Sequence, residues 1–203
     1  MNAANKGDPS RKSFREVLLA WQAFIRDEPD SLLYLHTEQI GLQGVPLAKL
    51  VQQLNLGESV RFVDAYRYAT GQIPGEELNR VYNAADVLIN TSRGEGFGIP
   101  ILEAQAAGCP VIVTDFSAMP ELCFAGWRVS GTLVMTYQNA MQMIPSIPEI
   151  VAALHEAKNH MADNSLREQA RQAALDYDVR RVYAQYWQPL LNRIERGGMR
   201  LSA

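Results

Sequence analysis

Two glutamates eight residues apart, Glu95 and Glu103, frame a glycine-rich run, Arg93-Gly94-Glu95-Gly96-Phe97-Gly98-Ile99-Pro100. The run follows an apolar stretch, Asp86 to Asn90, that reads as a buried strand, and it feeds a helix beginning near Pro100. Glycines let a backbone approach a ligand closely, and proline suits a first helical turn. A loop so placed lies at the carboxyl edge of a sheet, where open α/β sheets bind ligands. Free N–H groups and the positive end of the helix dipole favour a phosphate there. Glu95 in the loop and Glu103 about one turn inside the helix then flank a bound diphosphate. One carboxylate accepts hydroxyls from a sugar and the other from a ribose, which fits a sugar nucleotide better than ATP. Taken singly, Glu95 reads as an ordinary loop carboxylate and Glu103 as a residue favoured by the helix dipole. Their combination with the glycines is what points to a site.

Other patterns carry less. Gly94-x-Gly96-x-Gly98 with Asp115 after the next strand approaches a dinucleotide fingerprint, but the glycine spacing is wrong and an acidic residue between the glycines faces a pyrophosphate badly. Asp176-Tyr177-Asp178 spells a D-x-D metal motif, yet a helix stop and N-cap explain it better. Glu121, in Pro-Glu-Leu, reads as a cap on a short helix. His36, His155 and His160 have no ligand or triad spacing and are expected at the surface or its boundary. Cys109 and Cys123 lie in apolar surroundings and are expected as reduced, buried thiols. The net charge of −3 gives no broad basic field, so nucleic acid is not an expected partner. No apolar run approaches the roughly 18 residues of a membrane span, and no charged-then-apolar signal segment opens the chain. A cytoplasmic protein is the expectation, with peripheral membrane contact left open for a longer chain.

Strand and helix patterns alternate along the sequence, as βα units of a mostly parallel sheet require. The first residues, Met1 to Asn5, read as the stump of a strand, which suggests an excised piece. Ser13 and Glu16 form a capping box before a helix that places Phe14, Val17, Leu18, Trp21, Phe24 and Ile25 on one face. Strands are expected at Ser31–His36, Val60–Val63, Asp86–Asn90, Val111–Val113 and Trp127–Val129. Pro46 and Pro74 open helices, the first closed by Gly57. Ser130 to Pro145 reads as loop. Ser146 with Glu149 and Ser165 with Glu168 repeat the capping-box pattern. Beyond Asp178, a stripe of Tyr183, Tyr186, Trp187, Leu190, Leu191 and Ile194 keeps helical spacing and needs a cover.

Glu95-Gly96-Phe97-Gly98 with Glu103 resembles the E-x7-E signature of the family-four retaining glycosyltransferases of GT-B fold. Ala107-Gly108-Cys109-Pro110-Val111-Ile112, Pro120-Glu121-Leu122, and Glu77-Leu78 through Tyr82 to Ala85-Asp86-Val87 are similar to that family too. The resemblance runs from about Asn5 to Val129. It implies that Glu95 contacts the transferred sugar, that the backbone of Gly96, Phe97, Gly98 and Ile99 contacts sugar and diphosphate, and that Glu103 binds the ribose. A basic residue before the first helix, here Lys12, would bind the diphosphate. The family's arginine near the end of the first strand is replaced by Asn5 and Lys6, leaving Arg11 or Lys6 as substitutes. Glu95 and Lys12 are the residues expected to bear on catalysis.

The expected architecture is therefore a Rossmann-like α/β domain, mostly parallel, flanked by helices: one nucleotide-sugar-binding domain over 1–203, with an α/β core at 1–145 and C-terminal helices at 146–203. An N-terminal acceptor domain is expected to be missing. The expected function is donor binding in metal-independent, retaining hexosyl transfer from a UDP-, GDP- or ADP-sugar, with little turnover by the isolated domain and no cofactor. The alternatives are a non-catalytic nucleotide-sugar-binding or assembly module, or a fragment of a GT-B sugar-nucleotide epimerase. The apolar stripe raises the expectation of self-association through the last helix.

Overall fold

A computed structural model describes residues 1–7, 10–40 and 43–196. Five short strands form two parallel ladders. β1 (Leu33–Leu35) pairs with β2 (Val60–Phe62), Leu33 opposite Val60. β3 (Leu88–Asn90), β4 (Val111–Thr114) and β5 (Gly126–Val129) form a second ladder with β4 in the middle. Asn2 bridges His36 in parallel, so the first residues extend the edge of β1 that faces β3. A cavity of about 520 Å³, lined in part by Met1, Asn2, Tyr34, Leu78, Val87 and Leu88, separates the ladders.

Strands buried on both faces read as continuous apolar runs. Val111, Ile112 and Val113 are inaccessible to solvent for that reason. Ile112 meets one layer, where α1 (Phe14–Phe24) presents Phe14, Val17, Leu18 and Trp21 and α6 (Ile147–Asn159) presents Ile150 and Leu154. Val111 and Val113 meet the other layer, with Tyr82 of α4 (Gly75–Ala84) and Ile101 and Ala104 of α5 (Ile99–Ala106). Each large apolar side chain so placed contributes about 1.5–3 kcal/mol relative to exposure. α2 (Leu47–Gln53) supplies Leu47 and Val51 to the first layer, and α7 (Asn164–Ala174) packs against α5. Arg167 and Arg171 reach the carbonyls of Gly108 and Ala107, each at 3.4 Å, where cations suit the end of α5.

Several local expectations need correction. The Ser13–Glu16 capping box does not form: Ser13 takes a left-handed φ of 55°, its Oγ has no partner among the described residues, and Glu16 turns to Arg93 instead. Ser146 accepts from the Glu149 amide, but the Glu149 carboxylate serves Ser130, taking both its N–H and its hydroxyl at 2.5 Å. Asp163, not Ser165, caps α7. α2 ends by Asn55, whose φ of 56° turns the chain two residues before Gly57. A short helix not foreseen, α3 (Ala65–Ala69), follows β2 and is capped by Asp64. The stretch read as loop is an antiparallel hairpin, β6 (Gly131–Met135) with β7 (Met141–Pro145), in which Leu133 pairs with Met143 and Met135 with Met141. His36 is buried rather than superficial, beside Tyr34 and Tyr68. Both thiols are free. Cys109 is buried, and burial pushes its thiol up to about 11, while Cys123 is only partly covered.

The tail continues as α8 (Val179–Val182), a π-helical turn (Tyr183–Trp187) and α9 (Gln188–Glu195); residues 197–203 lie outside the described residues. Asp178 caps it through the amides of Arg180 and Arg181, as expected of that aspartate. The apolar stripe stays in solvent, with Tyr186 at 62% exposure and Trp187 at 55%. Exposed patches of this kind drive association. The chain is expected to self-associate in light scattering across a concentration series, and Trp187→Ser with Leu191→Ser is expected to abolish the effect. A strict monomer at every concentration contradicts this expectation.

Candidate functional site

Where β3 ends, Asn90, Thr91 and Ser92 remain buried, and Ser92 donates to Asn90 at 2.9 Å. The glycine run then emerges at the carboxyl edge. Gly98 adopts φ 100°, a left-handed turn that glycine enters without steric cost, and so brings the chain into α5. No side chain caps α5; Pro100 carries no N–H, and the Ile101 amide donates to the Gly98 carbonyl at 2.9 Å.

The lead-in to α1 comes alongside. Lys12 Nζ donates to one oxygen of Glu95, and Arg11 donates to the other at 3.0 Å and to the Gly94 carbonyl. The Glu95 amide donates to Ser117 Oγ at 2.9 Å. The Glu95 side chain is only 9% exposed. Burial alone would raise its pKa; the hydrogen bond from Lys12, that with Ser92, the Lys12 charge and the hydrogen bond from Arg11 outweigh it and hold the carboxyl below its ordinary value. Glu95 is therefore ionised at neutral pH, with two cations beside a helix N-terminus.

Glu103 stands on α5, exposed, and accepts from Tyr82 Oη at 3.0 Å. Tyr82 in turn accepts from Asn2 Nδ2 at 2.8 Å. Burial foremost raises the Tyr82 pKa, so it acts as a neutral donor that orients the Glu103 carboxylate. Gly96, Phe97 and Ile99 are exposed on the loop, and Phe97 meets Tyr177 edge to face.

Of the two substitutes offered for the absent arginine, Arg11 reaches the glycine run, whereas Lys6 is exposed. Asn5 is buried and structural: its side chain donates to the Glu38 and Val45 carbonyls and accepts from the Val45 amide. Asp176 pairs with Arg181 at 2.5 Å and Asp178 is a cap, so D-x-D serves the helix tail. Glu121 is exposed in a 3-10 turn, and Asp115 faces Arg128. Among the described residues, no cluster of His, Cys, Asp and Glu could hold a metal, and no helix is long and apolar enough to cross a membrane.

Sequence reasoning missed three contributors: Ser117 beneath the Glu95 amide, Tyr82 behind Glu103, and the Glu16–Arg93 pair. Tyr82 was legible as a core-facing residue, but its hydroxyl partner lies on another helix. Arg93 was visible as a cation abutting the glycine run, with no local sign of which carboxylate it meets.

An open parallel α/β domain with charged groups gathered at a strand-to-helix loop is a Rossmann-like ligand-binding domain. A family model described as glycosyl transferases group 1 matches residues 7–153, and the chain belongs to that family. The D-inositol 3-phosphate glycosyltransferase of Corynebacterium urealyticum is 31% identical over 130 residues, 62% of this chain and 29% of that protein. The lipopolysaccharide core biosynthesis mannosyltransferase LpsB of Rhizobium meliloti is 30% identical over 108 residues, 52% of this chain and 29% of that protein. The chain thus spans about three tenths of the length of these curated relatives. Among solved structures, the C-terminal domain of a glycosyl transferase group 1 family protein, LpcC of Francisella tularensis, matches with a TM-score of 0.59 and 22% identity over 91% of this chain and 84% of that one. Anabaena HepE in complex with UDP matches with a TM-score of 0.68 and 18% identity, over 94% of this chain and 48% of that one. At such identities the likeness shows the fold alone.

Proposed function

We propose that this chain is the donor-binding domain of a retaining glycosyltransferase that moves a hexose from a nucleoside-diphosphate sugar. The observation that carries the proposal is the meeting of Glu95, Lys12 and Arg11 at the uncapped start of α5, with Glu103 farther along the same helix. Lys12, Arg11 and the loop amides of Gly96 to Ile99 receive the diphosphate. Glu95, released from the cations, accepts sugar hydroxyls, and Glu103 accepts those of the ribose. Charge growing on the leaving diphosphate during transfer is then stabilised by fixed donors, the usual source of a large share of catalysis. UDP bound to HepE, and UDP with GlcNAc bound to the pneumococcal O-GlcNAc transferase GtfA, support the ligand class by analogy of fold. The acceptor site and the rest of the cleft belong, in this reading, to another domain, and the isolated chain turns over little.

Thermal melting with UDP, GDP, ADP and their sugars, with and without chelator, tests the proposal. A ligand at a hundredfold excess over Kd stabilises the fold by about 2.7 kcal/mol. At least one nucleoside diphosphate is expected to raise Tm in the presence of chelator. A response that appears only with Mn²⁺ or Mg²⁺ overturns the metal-independent site, and no response to any ligand overturns donor binding.

A further inference from the structure

Three ion pairs, in two sets of opposite polarity, lace the start of α1 to the glycine run. In one, the cations Arg11 and Lys12 meet Glu95. In the other the signs are reversed: Glu16, in the first turn of α1, meets Arg93 at 2.6 Å, both side chains 13% exposed. Arg93 is also a backbone junction. Its N–H donates to the Arg11 carbonyl at 2.7 Å, and its carbonyl accepts from the Met143 amide of β7 at 2.9 Å. Two separate segments, the start of α1 and β7, therefore converge on the residue two positions before Glu95.

We propose that Glu16 and Arg93 are positioning residues, which hold Glu95 at a set distance from Lys12 and Arg11 while the contact between those three groups opens to admit a donor. The inference rests on the donor-site reading. In that reading the Arg11/Lys12–Glu95 contact is exchanged: the cations turn to phosphate and Glu95 turns to the sugar. The Glu16–Arg93 pair touches neither ligand group and has nothing to exchange. It is the tie that persists: both of its side chains are 13% exposed, whereas in the contact that is exchanged Arg11 is 45% exposed and Lys12 and Glu95 are covered to a similar degree, at 15% and 9%. A buried pair resists opening because either partner alone is left as an uncompensated charge. The unformed capping box fits the same account, since Glu16 forgoes the helix end for Arg93.

The test is calorimetry on the 203-residue chain with UDP and UDP-glucose, or with GDP and GDP-mannose if the melting panel selects guanine. The informative quantity is the ratio of the two dissociation constants, which isolates what the sugar adds. Misplacement of about 1 Å costs up to a hundredfold in a positioned site. Arg93→Met and Glu16→Ala are expected to lower the ratio about tenfold, while Glu16→Gln, which still accepts from Arg93 but leaves its charge uncompensated, lowers it less. A general loss of stability lowers Tm without selecting between the two ligands. If Arg93→Met lowers Tm and leaves the ratio unchanged, the pair is only structural and the inference falls, while the donor-site reading stands. If the parent chain binds neither ligand pair, both fall together.

Discussion

Glu95→Ala is expected to weaken binding of the nucleotide sugar while leaving the free nucleoside diphosphate bound as tightly as before, or more tightly. The reason lies in the ion pairs: Lys12 and Arg11 are both held by Glu95, and its removal frees them for phosphate. Hydrogen bonds to charged groups contribute about 1.5–3 kcal/mol. The sugar nucleotide should therefore lose roughly 10- to 150-fold in affinity, at about 1.4 kcal/mol per tenfold. Lys12→Ala should weaken both ligands, because it removes a phosphate partner and leaves Glu95 with Arg11 alone. Glu103→Ala should also weaken both, through the ribose they share. Calorimetry on the three variants separates these outcomes. Identical effects of Glu95→Ala and Glu103→Ala on both ligands would refute the division of labour.

Gly126→Ala is expected to be the most damaging single methyl in the sheet. Gly126 opens β5 at φ 141°, a region side chains rarely adopt, and a Cβ there would stand 1.9 Å from the Val111 carbonyl oxygen and 2.7 Å from its nitrogen. Both obstructing atoms are backbone of β4, the central strand of its ladder, so no side chain can swing aside. Backbone strain and overpacking each cost about 1–3 kcal/mol. A total of about 3 kcal/mol or more is a large share of a domain stability of roughly 5–15 kcal/mol. Urea denaturation measures it as a fall in the midpoint at unchanged slope. A loss under about 1 kcal/mol would show that β4 and β5 part without cost.

Elements whose identity depends on their own residues were legible. The apolar runs that became β1 to β5 and the periodic face of α1 are local patterns, and so is the glycine run feeding α5. The residues brought together at the site could be named, but not their mutual contacts, because Lys12 and Glu95 are 83 positions apart. Local rules failed wherever a distant partner outbid them. Glu16 matches a capping residue by spacing, yet the nearly buried Arg93 guanidinium binds it more strongly than an amide at a helix end. The β6–β7 hairpin escaped notice because its strands carry no charge contrast: residues 129–148 contain no charged side chain, so inside and outside do not alternate visibly. The helical tail was readable from its period, but the period says nothing of what covers it.

The division of the sheet has a consequence for how the domain opens. Among the described residues, backbone pairing does not cross from the β1–β2 ladder to β3–β4–β5; side chains of α1 and α6 carry that connection. The second ladder is packed against both α1/α6 and α4/α5, as its residues fall in two apolar clusters. Amide protons in the two ladders then report separate opening events, and those of β4 should exchange last. A ligand held by both Lys12, in the lead-in to α1, and Glu103, on α5, would tie a helix packed on both ladders to one packed on the second, so that slow exchange spreads into β1 and β2 without any new backbone hydrogen bond.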